Sequence, residues 1–219
     1  MDKRDIVARL FGRRIGLFDR VNRSVEFAQE RDRVFAGTPR FADRFAMHRW
    51  VSASLVNDPV TYLEFGVWRG DSFRLWLGLN EHAESRFFGF DTFTGLPENW
   101  TADQPRGTFS TDGLAPVLSD PRARFIPGLF QNTLYGFLDQ SAMRGTLVVH
   151  IDCDLYSSTL YLLSVLDRYF TSGTRLIFDD FHSLEHEYAA WRDYRRAFPR
   201  PWLPLATTER CIQAAVYLA

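Results

Sequence analysis

The sequence predicts an α/β fold: a mostly parallel seven-stranded sheet with an antiparallel C-terminal strand and helices on both faces. Three observations predict it. Apolar runs of strand character alternate with helical periodicity from residue 60 to residue 198, the pattern of parallel strands joined by crossover helices. The run "GTLVVHID" (145–152) is nearly continuous in apolar residues, as in strands buried on both faces. The tail "LPLATTERCIQAAVYLA" (203–219) reads as two strands joined by a tight turn, and such a pair can only be antiparallel.

Taken in order, residues 1–58 mix charge with helical periodicity, and "RSVEFAQERDRVF" (23–35) and "RFADRFAMHRWVSASLV" (40–56) both repeat apolar residues at three and four. This region is set apart from residues 59–219 as a lid or an oligomer contact. After "NDP", "VTYLEFGV" (60–67) reads as a strand, "DSFRLWLGLNEH" (71–82) as a helix and "SRFFGFD" (85–91) as a second strand. Residues 95–121, rich in proline and glycine, form a long irregular insertion, the kind of loop that serves as a lid. A short strand at 122–128, a helix at 132–141 and the strand 145–152 follow. The helix at 157–170 opens on Ser157, Ser158 and Thr159, which suit N-caps. Then come a strand at 173–180 and a helix at 185–198.

Composition bounds the function. The 219 residues suffice for one sizeable core, and 46% apolar content marks a globular chain. With 26 basic and 27 acidic side chains the formal charge is −1, so no nucleic-acid or other polyanion partner is indicated. Lys3 is the only lysine, which excludes lysine chemistry in the body of the fold. Cys153 and Cys211 are too few for a disulfide framework. The charged opening lacks the apolar stretch of a signal peptide, and no run approaches the roughly 20 apolar residues of a membrane span. A cytoplasmic location is expected.

Two stretches carry chemistry. In "LEFGVWRGDS", Gly66 and Gly70 lie between a strand and a helix, with Glu64 at the strand's end; such a turn lets backbone approach a ligand and offers free helix N–H groups. Asp91 ends the next strand, where a Rossmann-like fold presents an acid to ribose hydroxyls. The glycines depart from GxGxxG, leaving no cradle for a pyrophosphate, so a ligand with ribose but no phosphates fits, and S-adenosylmethionine is one. In the second stretch, Asp152 and Asp154 end one strand and Asp179 and Asp180 the next. Adjacent strands lie about 4.7–4.9 Å apart, so four carboxylates converge at the carboxyl edge, and a hard divalent cation such as Mg²⁺ resolves their repulsion. Asp154, on the same strand face as Asp152, is the first candidate general base; His182, two residues beyond Asp180, is the second.

Together, "EFGVWRG", "GFDTFTGLPE", "RFIPGLFQNTL", "HIDCDLYSST" and "IFDDF" resemble the macrocin O-methyltransferase family over roughly residues 60–182. The resemblance implies a class I methyltransferase fold and a Mg²⁺-dependent, S-adenosylmethionine-using enzyme that methylates a hydroxyl of a small-molecule sugar or glycoside. It implies that Glu64, Gly66 and Gly70 hold the methionine end of the cofactor and Asp91 the ribose, with Phe65, Trp68, Arg69, Ser72, Thr92 and Gly128 completing the cofactor site. Asp152, Asp179 and Asp180 would ligate Mg²⁺, and Asp154 would be the base. The family commonly has glycine where Cys153 stands. Two other readings remain at this point: a DxD nucleotide-sugar glycosyltransferase, which leaves Glu64, the glycines and Asp91 without a role, and a non-catalytic binding module on the same fold.

Overall fold

The computed structural model describes residues 15–219 and contains the expected sheet with one strand more. The strands are β1 (Arg40–Phe41), β2 (Val60–Phe65), β3 (Arg86–Asp91), β4 (Ala123–Pro127), β5 (Thr146–Ile151), β6 (Arg175–Phe178), β7 (Trp202–Thr208) and β8 (Ala214–Leu218). The helices are α1 (Ile15–Gln29), α2 (Arg44–Ala53), α3 (Asp71–Leu79), α4 (Phe130–Gln140), α5 (Tyr156–Leu166) and α6 (Glu187–Ala197). One eight-stranded sheet runs β1-β7-β8-β6-β5-β2-β3-β4. β8 is antiparallel to both its neighbours, β6 and β7, and every other pairing is parallel.

Alternation along the central strands builds the two faces. Leu63 and Phe65 of β2 and Leu147, Val149 and Ile151 of β5 enter a core shared with α4, α5 and α6. Val60 and Tyr62 of β2 and Val148 of β5 face the opposite core, with Met47 and Val51 of α2 and Phe73 and Trp76 of α3. Polar residues on this second register, Glu64 and His150, are therefore buried against α2 and α3, and both have 0% exposure.

Two local expectations are corrected. The periodicity of 40–56 predicts one helix, but Arg40 and Phe41 pair with Thr207 and Thr208 as β1, and the helix starts after Asp43, whose carboxylate accepts the Ala46 N–H at 2.8 Å. Nor do Ser157, Ser158 and Thr159 cap α5, which starts after Leu155 without a side-chain cap; Ser157 Oγ instead donates to Glu98 Oε1 at 2.5 Å, tying the 95–121 insertion to the helix. The N-terminal region packs on the sheet domain: Phe27 and Phe35 meet Phe181, and Arg195 and Arg196 of α6 pair with Glu30 and Glu26. Among the described residues, no helix is long and apolar enough to cross a membrane.

Candidate active site

Backbone hydrogen bonds lock the carboxyl ends of four parallel strands into register: Gly66 N–H to Phe90 O, Asp152 N–H to Phe65 O and Asp179 N–H to Ile151 O, at 2.9–3.0 Å. The sheet's order reverses beside β2, the place where open α/β sheets bind ligands. A cavity of about 230 Å³ opens there. Its walls include Gly66, Trp68, Gly70 and Ser72, then Asp91 and Thr92, and then Asp152, Asp154, Asp179 and Asp180.

The glycine turn is dictated by space. Gly66 has φ +93°, and a Cβ there would lie 1.7 Å from the Asp152 carbonyl oxygen, so no other residue fits. Asp91 holds the turn open: its Oδ2 accepts the N–H groups of Val67 and Trp68, and its Oδ1 that of Phe93, all at 2.8 Å. Trp68, Phe93, Phe109 and Asp154, none of them glycine, have φ between 47° and 66°, a cluster of unfavourable conformations of the kind retained at functional sites. Phe109, from the insertion, meets the Trp68 ring edge-on at 5.7 Å.

One oxygen each of Asp152, Asp154 and Asp180 lie within 4.8 Å of one another. Burial, and then the negative charge of neighbouring acids, raises all three carboxyls; Asp154 reaches about 8. Asp179 behaves oppositely. Burial pushes its carboxyl upward, but His150 and the Arg44 guanidinium outweigh it and bring the value down to about 2. Arg44 lies 2.8 Å from Asp179 and 3.7 Å from Asp152. Asp179 Oδ1 is buried and has no hydrogen-bond partner among the described residues.

Behind the wall, Glu64 accepts from Ser72 Oγ at 2.9 Å and from the Tyr62 hydroxyl at 2.5 Å. His150 Nδ1 lies 3.0 Å from that hydroxyl, and its Nε2 lies 3.8 Å from Asp179 Oδ1. Burial opposes charge on this imidazole, yet Asp179 and Glu64 raise it to about 10.

The predicted site residues thus fall into two groups. Gly66, Trp68, Gly70, Ser72, Asp91, Thr92, Asp152, Asp154, Asp179 and Asp180 share the cavity. Glu64 and Phe65 are fully buried; Arg69 stacks its guanidinium over Trp68; and Gly128, with φ +133°, donates its N–H to Asp91 O. His182 lies in a second depression with Trp100 and His186, its Nδ1 3.9 Å from Asp180 Oδ1. Arg44, Tyr62 and His150 escape the sequence reading. The latter two could have been found as polar residues interrupting the buried runs "VTYLEF" and "VVHID", in step with Glu64 and Asp152.

A central glycine turn, an acid ending the neighbouring strand and an antiparallel β8 inserted between β6 and β7 define a class I methyltransferase fold. Residues 37–199 match the macrocin-O-methyltransferase (TylF) family, and the chain belongs to it. A curated relative from Streptomyces olivaceus, 8-demethyl-8-(2,3-dimethoxy-alpha-L-rhamnosyl)-tetracenomycin-C 4'-O-methyltransferase, is 31% identical over 158 residues. That alignment covers 63% of this chain and 58% of the relative, so the chain spans less than two thirds of the relative's length. Among solved structures, the O-methyltransferase NovP is similar at 25% identity and a TM-score of 0.57, over 80% of this chain and 78% of that one. The calicheamicin methyltransferase CalS11 shares the fold at a TM-score of 0.65 and 18% identity, over 88% and 91% of the two chains.

Proposed function

We propose that this protein transfers the methyl group of S-adenosylmethionine to a hydroxyl of a sugar or glycosylated natural product, with Mg²⁺ at the acidic edge. The observation that carries the reading is the convergence of Asp152, Asp154 and Asp180 on the cavity that the Gly66–Gly70 turn and Asp91 also line. Family membership and the relative's action on a rhamnosylated acceptor support it.

The cofactor brings a methyl group made electrophilic by its sulfonium charge, so the chain's task is to orient an oxygen nucleophile in line with it and to take a proton. The glycine turn and Ser72 are assigned to the cofactor's methionine end, and Asp91 to its ribose. Asp152, Asp154 and Asp180 present a cluster of hard oxygen donors, and Asp179 lines the same cavity with a buried Oδ1 that has no hydrogen-bond partner among the described residues. Asp152, Asp179 and Asp180 would hold the ion; when bound, it supplies Lewis-acid charge that acidifies an acceptor hydroxyl and fixes its direction. Asp154 is assigned as the proton acceptor. Its carboxyl lines the cavity beside Asp152 and Asp180, whereas His182 is half exposed in the neighbouring depression.

The test is calorimetry with S-adenosylmethionine and its demethylated product, and separately with UDP-sugars, each with and without Mg²⁺, followed by mass spectrometry of rhamnosides incubated with labelled cofactor. Binding of the sulfonium compound or its product, with label appearing on a sugar oxygen, is expected. Binding of UDP-sugars alone would overturn the reading in favour of glycosyl transfer.

A further inference from the structure

Behind the cavity wall, six side chains form one line from the cofactor end of the site to its acidic edge: Ser72, Glu64, Tyr62, His150, Asp179 and Arg44. The contacts along it are 2.9 Å, 2.5 Å, 3.0 Å, 3.8 Å and 2.8 Å. Glu64, Tyr62 and His150 are wholly excluded from solvent, so water cannot substitute for a missing partner.

Proton counting gives the line a direction. Tyr62 has one proton, and the 2.5 Å contact assigns it to Glu64 Oε2; the phenolic oxygen is then left to accept from His150 Nδ1–H. Nε2 therefore faces Asp179 Oδ1, and each of these two buried atoms lacks a hydrogen-bond partner among the described residues. His48 comes near the same point, its ring 4.7 Å from that of His150. However, Trp76 Nε1–H donates to His48 Nδ1 at 2.8 Å, which puts the neutral ring's proton on Nε2 and removes it as a metal ligand. The cluster His48, His150 and Asp179 thus lacks a free imidazole ligand at His48 and is not read as a second cation site.

We propose that Tyr62 is a positioning residue that makes cofactor binding and divalent-cation binding cooperative: it lines neither subsite, but its hydroxyl joins Glu64 at the cofactor end, through His150, to Asp179 at the cation end. The proposal rests on the function proposed above. Ordering one end of a chain with no solvent to relax it leaves fewer arrangements to be lost on ordering the other, so the coupling is positive. It must also be reciprocal.

The test uses the full chain and the demethylated cofactor product, a neutral thioether whose affinity is not dominated by direct repulsion from the cation. Calorimetry without Mg²⁺ and at saturating Mg²⁺ is expected to show at least about fivefold tighter binding with the cation in the wild type, and less than about twofold in Tyr62→Phe. Phe73→Leu is the control: Phe73 packs on the Tyr62 ring at 6.0 Å without a polar group, and its replacement should lower the melting temperature while preserving the coupling. Equal wild-type affinities with and without Mg²⁺ would overturn the proposal even if Tyr62→Phe failed to fold, as would an unchanged coupling factor in that variant. No binding of the product under any condition would instead overturn the proposed function.

Discussion

Replacing Asp154 with asparagine removes one of three mutually repelling carboxylates and the assigned base in a single step. Burial, and then the charge and hydrogen bond of Asp180, raises the Asp154 carboxyl from an ordinary 3.8 to about 8. At 1.36 kcal/mol per pH unit, ionising it in the folded, cation-free protein costs on the order of 6 kcal/mol. A raised value means that the folded state holds the proton more tightly than the unfolded chain does. The resulting contribution to stability is complete below about pH 4 and is lost as pH rises toward 8. Asparagine carries no such liability, so in EDTA the stability of Asp154→Asn relative to wild type should improve by up to about 4 kcal/mol between pH 5 and pH 8. Urea unfolding across that range measures the gap, and saturating Mg²⁺ should close much of it by stabilising the wild type more. Turnover should fall by about 10²–10⁴-fold, with affinity for the demethylated cofactor within about twofold. A gap that does not change with pH refutes the electrostatic argument, and retained turnover removes Asp154 from the chemistry.

Further predictions follow from the same geometry. Arg44→Gln leaves Asp179 without its 2.8 Å partner; unfolding in EDTA should become easier by about 2 kcal/mol, less than for a fully buried pair because Arg44 is partly solvated, and calorimetry should show tighter Mg²⁺ binding because a competing positive charge is gone. Gly66→Ala, with a Cβ 1.7 Å from the Asp152 carbonyl, should lose more than about 3 kcal/mol in thermal or urea unfolding, or fail to accumulate as folded protein. Glu98→Gln weakens the 2.5 Å tether to Ser157; stability should change by less than about 1 kcal/mol, while limited proteolysis within residues 99–116 accelerates several-fold.

How far the sequence could be read depended on how much each signal could be averaged. β2, β3, β5 and β6 were legible because several apolar residues reinforce one another in each, and the alternation of strand and helix then fixed where Asp91, Asp152 and Asp179 emerge. β1 was not: two residues carry no period, and Arg40 and Phe41 also suited the helical pattern that follows. Ser157, Ser158 and Thr159 misled because cap-forming residues cannot announce that a carboxylate from residue 98 has claimed one of them. At the site, acids at strand ends stood out against apolar surroundings. Their neutralising groups did not, since Arg44 resembles any other arginine on a helix and is distinguished only by the tertiary packing of α2 against β7. His150 and Tyr62 were visible as letters, but the sequence hid the fact that they meet diagonally across adjacent strands, His150 standing opposite Glu64.

The short β1 gives the N-terminal segment a significance beyond its two residues. By pairing with β7 it covers one flank of the sheet, and three positions after Phe41 the same segment delivers Arg44 to the acidic rim. Cutting the chain before residue 59 to obtain a smaller fragment would therefore bare a ladder of backbone groups open to self-association, and would strip Asp179 of its 2.8 Å Arg44 partner, leaving His150 alone against its charge.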